Sequence, residues 1–185
     1  MASDPVPSKG ASTKGQASDE RALRTRHGEP LSIGPLRREE ESDLFELFAE
    51  IVDSGDGFPH EAPLTDEGFE ATWIHPVSIT VAARVGSELA GAYYLKPNFV
   101  GRAAHIANAG YVVARGRWRQ GIGRHLVEDS TWRAPHLGFD AIQFNLVFSS
   151  NPARALYEEL GWVVVGCIPR AVGGEDCFVY WRSVP

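Results

Sequence analysis

The stretch Asn108-Ala109-Gly110-Tyr111-Val112-Val113-Ala114-Arg115-Gly116-Arg117-Trp118-Arg119-Gln120-Gly121-Ile122-Gly123-Arg124-His125-Leu126 carries the most information in the chain. An apolar strand runs into a short basic turn that holds glycines, and the turn opens a helix. Such a turn aims unpaired N–H groups and the positive end of a helix dipole at one point, a ready seat for a phosphate or pyrophosphate. Gly121 and Gly123 let an anion approach the backbone, and Arg117, Arg119 and Arg124 add charge beside it. A bare Gly-x-Gly is a weak signal, so rivals matter. A dinucleotide fingerprint requires a third glycine where Leu126 stands. A P-loop requires Lys and Ser/Thr where Ile122-Gly123 follow Gly121. An ordinary glycine-rich turn before a core helix is the plain alternative.

Downstream, Phe144-Asn145-Leu146-Val147-Phe148-Ser149-Ser150-Asn151-Pro152-Ala153-Arg154-Ala155-Leu156-Tyr157-Glu158-Glu159-Leu160-Gly161-Trp162 reads as a strand, a helix and a second strand. Asn151 is the expected helix cap, with Pro152 at the first helical position and Gly161 as the stop. Ala141 to Phe148 is almost continuously apolar, as a strand covered on both faces should be. Upstream, Leu31 to Leu36 reads as a first strand. Leu44, Leu47, Phe48, Ile51 and Val52 form the stripe of an amphipathic helix over Glu39 to Val52. Thr65 to Ile74 reads as a short helix, with Thr65 or Asp66 as its cap. Ser78 to Val85 and Leu89 to Leu95 make a hairpin about Gly86-Ser87. Ala103 to Ala114, a helix from Gly121 to about Gly138, and a last strand pair at Trp162 to Ile168 and Cys177 to Trp181 complete the order β-α-α-β-β-β-α-β-α-β-β. That mixture predicts an α/β fold with a mixed sheet of six to seven strands and helices on both faces.

Met1 to Pro30 is rich in Ser, Gly, Pro and charge, with Leu23 its only large aliphatic residue besides Met1 and Val6. It reads as a flexible tail before a domain over residues 31–185. The net charge of −6 argues against a general nucleic-acid surface. No apolar stretch is long enough for a transmembrane helix, and no secretory leader is visible. Cys167 and Cys177 fit reduced thiols, so a cytoplasmic protein without membrane or nucleic-acid partners is expected.

Together, the two quoted segments resemble the acetyl-CoA-binding core of the GNAT superfamily of N-acetyltransferases. The pattern Asn151-x-x-x-Ala155-x-Tyr157-x-x-x-Gly161-aromatic supports the likeness. One departure stands out: Trp118 occupies the place where the superfamily loop carries Arg or Gln, and Arg117 and Arg119 flank it. The resemblance implies an acetyl-CoA-dependent acyltransferase that needs no metal. The pantetheine arm would enter where two central strands part, pairing with the backbone at Val112 and Val113. Gln120, Gly121, Ile122, Gly123 and Arg124, with Arg117 and Arg119, would hold the pyrophosphate; Asn151 and Arg154 would lie along the arm and nucleotide. A backbone N–H near Val112 would stabilise the developing oxyanion, and Tyr157 would protonate the leaving thiolate. The strands and loop beside the expected cleft offer His60, His75, Glu88 and His105 as bases, none with a motif behind it.

A narrower similarity, to fungal azetidine-2-carboxylate N-acetyltransferases and their bacterial relatives, rests on Asn108-Ala109-Gly110 and Phe144-Asn145-Leu146-Val147. It implies that Asn108 and Asn145 hold a small amino-acid-like acceptor. An amide inside an apolar strand is costly unless hydrogen-bonded, and an internal bond between strands would satisfy it equally. A protein acetyltransferase and a non-catalytic acyl-CoA-binding module are the other readings, and a homodimer is expected by analogy.

Overall fold

A computed structural model describes residues 19–184. Eight strands form one sheet: β1 (Arg21–Arg24), β2 (Pro30–Pro35), β3 (Ile79–Val85), β4 (Glu88–Pro97), β5 (Ile106–Val113), β6 (Ala141–Phe148), β7 (Val163–Val172) and β8 (Glu175–Ser183). Their spatial order is β1-β2-β3-β4-β5-β6-β8-β7. All neighbours run antiparallel except β5 and β6. Four helices cover the sheet: α1 (Glu41–Ser54), α2 (Asp66–Phe69, continued by a π-turn over Glu70–Ile74), α3 (Ile122–His136) and α4 (Arg154–Glu159).

Strand alternation decides which helix meets which residue. Tyr93 and Leu95 of β4 join a core with Ile122, Leu126 and Val127 of α3 and Tyr157 of α4. Ala92 and Tyr94, one residue out of phase, join a second core with Leu44, Phe48 and Ile51 of α1 and Trp73 of α2. Successive side chains point to opposite faces, so β4 is apolar throughout because both faces are covered. Leu44, Phe48, Tyr93, Leu95 and Leu126 are fully buried. Each buried side chain of this size contributes about 1.5–3 kcal/mol. The expected α1 stripe is the buried one, and Gly55 ends the helix in a left-handed conformation, φ 71°. Thr65 caps α2, its hydroxyl accepting from the Gly68 N–H at 3.1 Å.

Two expectations change. The segment read as a flexible tail contains β1, which pairs with β2 from Arg21↔Ile33 to Arg24↔Pro30. Order therefore reaches back to Asp19, and residues 1–18 lie outside the described residues. Long-range ion pairing supplies what composition lacks. Arg21 donates to Asp129 of α3 at 2.8 Å, Arg133 donates to the same carboxylate at 2.6 Å, and the Tyr93 hydroxyl donates to it at 2.7 Å. Arg133 also reaches the Asp19 carbonyl at 2.7 Å. The Asp129 and Arg133 side chains are both fully buried, so each charge needs the other. The second change is at α4, which begins at Arg154 rather than Pro152. Asn151 is no helix cap: its Oδ1 accepts from the Ala153 N–H at 2.9 Å and closes a side-chain turn ahead of the helix. Cys167 and Cys177 are both free thiols, the first exposed and the second buried.

A second buried pair fixes the start of α1. Arg84 on β3 grips Glu40 with two bonds, at 2.5 and 2.6 Å. Burial pushes the Glu40 carboxyl up, but the bonds from Arg84 and the Arg37 backbone outweigh it and hold the group below its ordinary 4.5. Its folded pKa thus lies under its unfolded one. The stability it contributes is complete above the ordinary value and is lost as pH falls through the folded value.

Asp129→Ala removes the buried carboxylate that Arg133, Arg21 and Tyr93 share. We expect a loss of about 3–5 kcal/mol, read as a lower urea midpoint at unchanged m-value. Glu40→Gln should cost about 1–3 kcal/mol at neutral pH, and urea titrations run down the pH scale should show its curve rejoining wild type below the Glu40 titration.

Candidate active site

The site begins where two strands part. β5 and β6 pair in parallel over three positions only, Ile106↔Ala141, Ala107↔Ile142 and Asn108↔Gln143. β5 continues to Val113 along β4 and β6 to Phe148 along β8, but they pair no further with each other. β6 carries an irregularity between Phe144 and Val147 in its ladder with β8, and a bulge of that kind bends a strand. Backbone groups in the gap are set by alternation. Ala114 N–H bonds the Ala90 carbonyl, and Asn98 N–H bonds the Ile106 carbonyl. The antiparallel pattern therefore turns even-numbered β5 residues toward β4 and odd-numbered ones toward the gap. Val113 turns its backbone edge toward the gap. Val112, expected to aim an N–H into the gap, has its backbone toward β4 and its side chain buried on the α1 side. The edge groups of Tyr111 and Val113 face the gap instead.

At the mouth of the gap, Gly121 stands at the N-terminus of α3 with φ 87°, a conformation that favours glycine. Ile122 is buried beneath it, and a Cβ added at Gly123 would meet the Val113 side chain at 3.8 Å. Gln120 donates to the Gly116 carbonyl at 3.2 Å, while its Oε1 is buried without a partner. The flanking arginines divide. Arg117 is held by Glu88 at 2.6 Å and Glu29 at 3.4 Å, and Arg124 by Glu159 at 2.6 Å. Arg119 is exposed with a left-handed φ of 61° and, among the described residues, has no ion-pair partner. Trp118 lays its indole N–H on the Val113 carbonyl at 2.8 Å. Arg154 is engaged within the protein. It donates to the Tyr180 hydroxyl at 3.1 Å and the Ser149 carbonyl at 3.0 Å and lies over the Phe178 ring, which ties α4 to β8. Asn151 spends its oxygen on its own turn.

Tyr157 bridges the opening. Its ring lies 4.9 Å from Phe144 on β6 and 6.5 Å from Tyr111 on β5. Burial, with a smaller contribution from Tyr180, pushes its hydroxyl well above the ordinary 10.0. The group therefore keeps its proton at neutral and mildly alkaline pH.

On the opposite face, Asn108 and Asn145 belong to one polar row. The Tyr94 hydroxyl donates to Asn108 Oδ1 at 3.1 Å, and Asn108 Nδ2 donates to the Gln143 carbonyl at 3.0 Å. Gln143 donates to Asn145 at 2.9 Å, and Asn145 and Asn98 exchange two bonds at 2.7 and 3.1 Å. Asn98 and Tyr94 have no motif to mark them. Gln143 does carry a signal, since the cost of an amide in an apolar strand applies to it as it does to Asn145. The four base candidates scatter. His105 bonds the Arg102 carbonyl at the far end of the gap, Glu88 pairs with Arg117, and His75 is exposed. His60 alone stands in the α1–α2 layer, packed edge-on to Phe48 and 2.9 Å from Thr72 Oγ1. Burial, then the charge of Lys96, pull its pKa below 6.5. Among the described residues no group of three His, Cys, Asp or Glu could hold a metal.

A gap at an opened sheet edge, beside a glycine-capped helix start, fits a long ligand that ends in a pyrophosphate. The family model described as acetyltransferase (GNAT) family matches residues 41–162. The chain belongs to this family. It is 32% identical over 163 residues to N-acetyltransferase aca1 of Schizosaccharomyces pombe, across 84% of this chain and 72% of that one. It also superposes on a GNAT-type N-acetyltransferase from Kribbella flavida, at TM-score 0.77 and 31% identity, over 83% of this chain and 97% of that one. An acetyltransferase from Salmonella typhimurium, solved with its cofactor acetyl-CoA, shares the fold at TM-score 0.74 and 13% identity, over 84% and 94% of the two chains. The protein is thus a GNAT-family acyltransferase. No helix among the described residues is long and apolar enough to cross a membrane.

Gly110 tests the polar row. A Cβ there would stand 2.7 Å from the Tyr94 ring. Gly110→Ala should displace Tyr94 from Asn108 and raise the acceptor KM about tenfold, roughly the 1.4 kcal/mol of one hydrogen bond, while coenzyme A affinity measured by calorimetry stays within twofold.

Proposed function

We propose that the protein moves an acetyl group from acetyl-CoA to a primary or secondary amine of a small molecule or amino acid, by direct transfer within a ternary complex. The observation that carries this reading is the parting of β5 and β6 after three paired positions, directly beneath Tyr157. Acetyl-CoA, when bound, supplies the thioester carbon that the amine attacks. Gln120, Gly121, Ile122 and Gly123 would cradle the pyrophosphate with the N–H groups of the first turn of α3. Arg119 takes the charge-capping role left open by Trp118, since Arg117 and Arg124 already have carboxylates. The edge amides of Tyr111 and Val113 take over the role expected of Val112: they pair with the pantetheine arm and stabilise the oxyanion. Tyr157 gives its proton to the departing thiolate. Asn108 and Asn145 would orient an amino-acid-like acceptor, as in the azetidine-2-carboxylate acetyltransferases that these strands resemble. A homodimer belongs to the same reading, supported by Val163, Val164, Val165 and Ile168, which stand exposed on the outer strand β7.

The test is a thermal-shift titration with acetyl-CoA, followed by thiol release across amines and amino acids. Tyr157→Phe should lower kcat about 10²-fold or more with coenzyme A affinity within twofold. Because Tyr157 is held protonated, wild-type kcat should show no fall below about pH 10 from its ionisation. Turnover that survives the substitution would remove Tyr157 from the reaction. A stabilising shift with NAD or ATP alone would remove acetyl-CoA.

A further inference from the structure

Lys96 is one of three lysines in the chain and the only one among the described residues. It sits in register with Asn108, as Lys96↔Asn108 across β4 and β5. Direct cross-strand partners share a face, so its side chain rises from the same face as the polar row. It is half-buried. Its ammonium lies 4.8 Å above the Tyr94 ring and touches one protein oxygen, the Ala71 carbonyl, at 3.5 Å. No carboxylate among the described residues comes within 4.0 Å of it. Most of the partly buried cations described above have found an anion: Arg84 has Glu40, Arg117 has Glu88 and Glu29, Arg124 has Glu159. A desolvated cation without a counter-charge is costly, and burial alone draws its pKa down. The surroundings are also one-sided. Asn98, Asn145 and Gln143 offer amide groups, which bind a carboxylate without adding a charge of their own, and the Tyr94 hydroxyl stays neutral, its pKa raised by burial to about 12.

We infer that Lys96 is the carboxylate anchor of the acceptor site, so that the amine acetylated here belongs to an amino carboxylic acid. The inference rests on the transferase reading and deepens it, adding a residue that no motif marks. An ammonium held by an aromatic face and a weak carbonyl contact is free to exchange that contact for an anion. A carboxylate seated there would fix the near end of a small acceptor, with its amine directed along the row toward the gap between β5 and β6. Lys96 itself takes no part in bond making.

The experiment compares paired acceptors in wild type: free amino acids, cyclic and acyclic, against the same compounds as methyl esters or amides. We expect the free acids to be preferred at least tenfold in kcat/KM. Lys96→Met should remove that preference by raising KM for the free acids about tenfold or more, with little change for the blocked series, and Lys96→Arg should restore part of it. Equal use of free and blocked acceptors by wild type would overturn the inference, and that comparison needs no variant. An equal loss on both series in Lys96→Met, with the fold intact by circular dichroism, would overturn it too. No thiol release with any amine, and no thermal shift with acetyl-CoA, would instead defeat the transferase reading.

Discussion

A sheet cannot open without leaving backbone groups unpaired, and the rest of this structure follows from where that happens. Beyond Asn108 and Gln143, β5 and β6 each lose a neighbour on one edge. In a buried sheet those groups are costly to strand. The Val113 carbonyl finds the Trp118 indole, while the odd-numbered β5 residues keep an edge turned to the gap. An edge of this kind accepts an extended ligand as it would another strand. The chemistry proposed for the protein is therefore a use made of a gap that the fold must already hold open.

The gap stays open because both of its sides are clamped. On the β5 side, α3 is pinned by the buried group of Asp129, Arg133 and Tyr93, which the partly exposed Arg21 joins. That group ties the helix whose first turn faces the gap to β4 and to the edge strand β1. On the β6 side, Phe144 stacks on Trp162 at 3.9 Å and Tyr157 packs against both. Arg124 joins the sides from outside, reaching from the start of α3 to Glu159 on α4. Closing the gap would mean breaking one of these clamps, which are charged in one case and aromatic in the other.

The two faces of the sheet divide the labour. Tyr157 and α3 share the face that would meet the acyl donor, while Tyr94, Lys96, Asn98 and Asn108 share the face under α1 and α2. One residue of difference in register separates the groups, since Tyr93 bonds Asp129 on one side and Tyr94 bonds Asn108 on the other. The gap between β5 and β6 is where the two faces communicate, so an amine held on one side can meet a thioester held on the other.

Local pattern was enough to place most of the elements. The α1 stripe, the Thr65 cap, the β3–β4 hairpin and the glycine-capped start of α3 depend on contacts within a few residues, and so they show in the order of residues. The residues of the glycine turn before α3 and Tyr157 were legible as part of a motif. What composition could not reveal was anything settled by a partner far along the chain. β1 looks like tail until Arg21 meets Asp129, 108 residues away. Arg154 gives no sign in the sequence of its contacts with Tyr180 and Phe178, which lie more than twenty residues away. Val112 and Val113 are equivalent apolar letters until the ladder with β4 turns one away from the gap and the other toward it. Lys96 is an unremarkable lysine until its cross-strand neighbour proves to be Asn108. Propensity, capping and motif spacing are local, so the order of residues alone carries most of the elements and the family. Which edges stay unpaired and which charges lack a partner depends on distances through space, and so emerges in the folded chain alone.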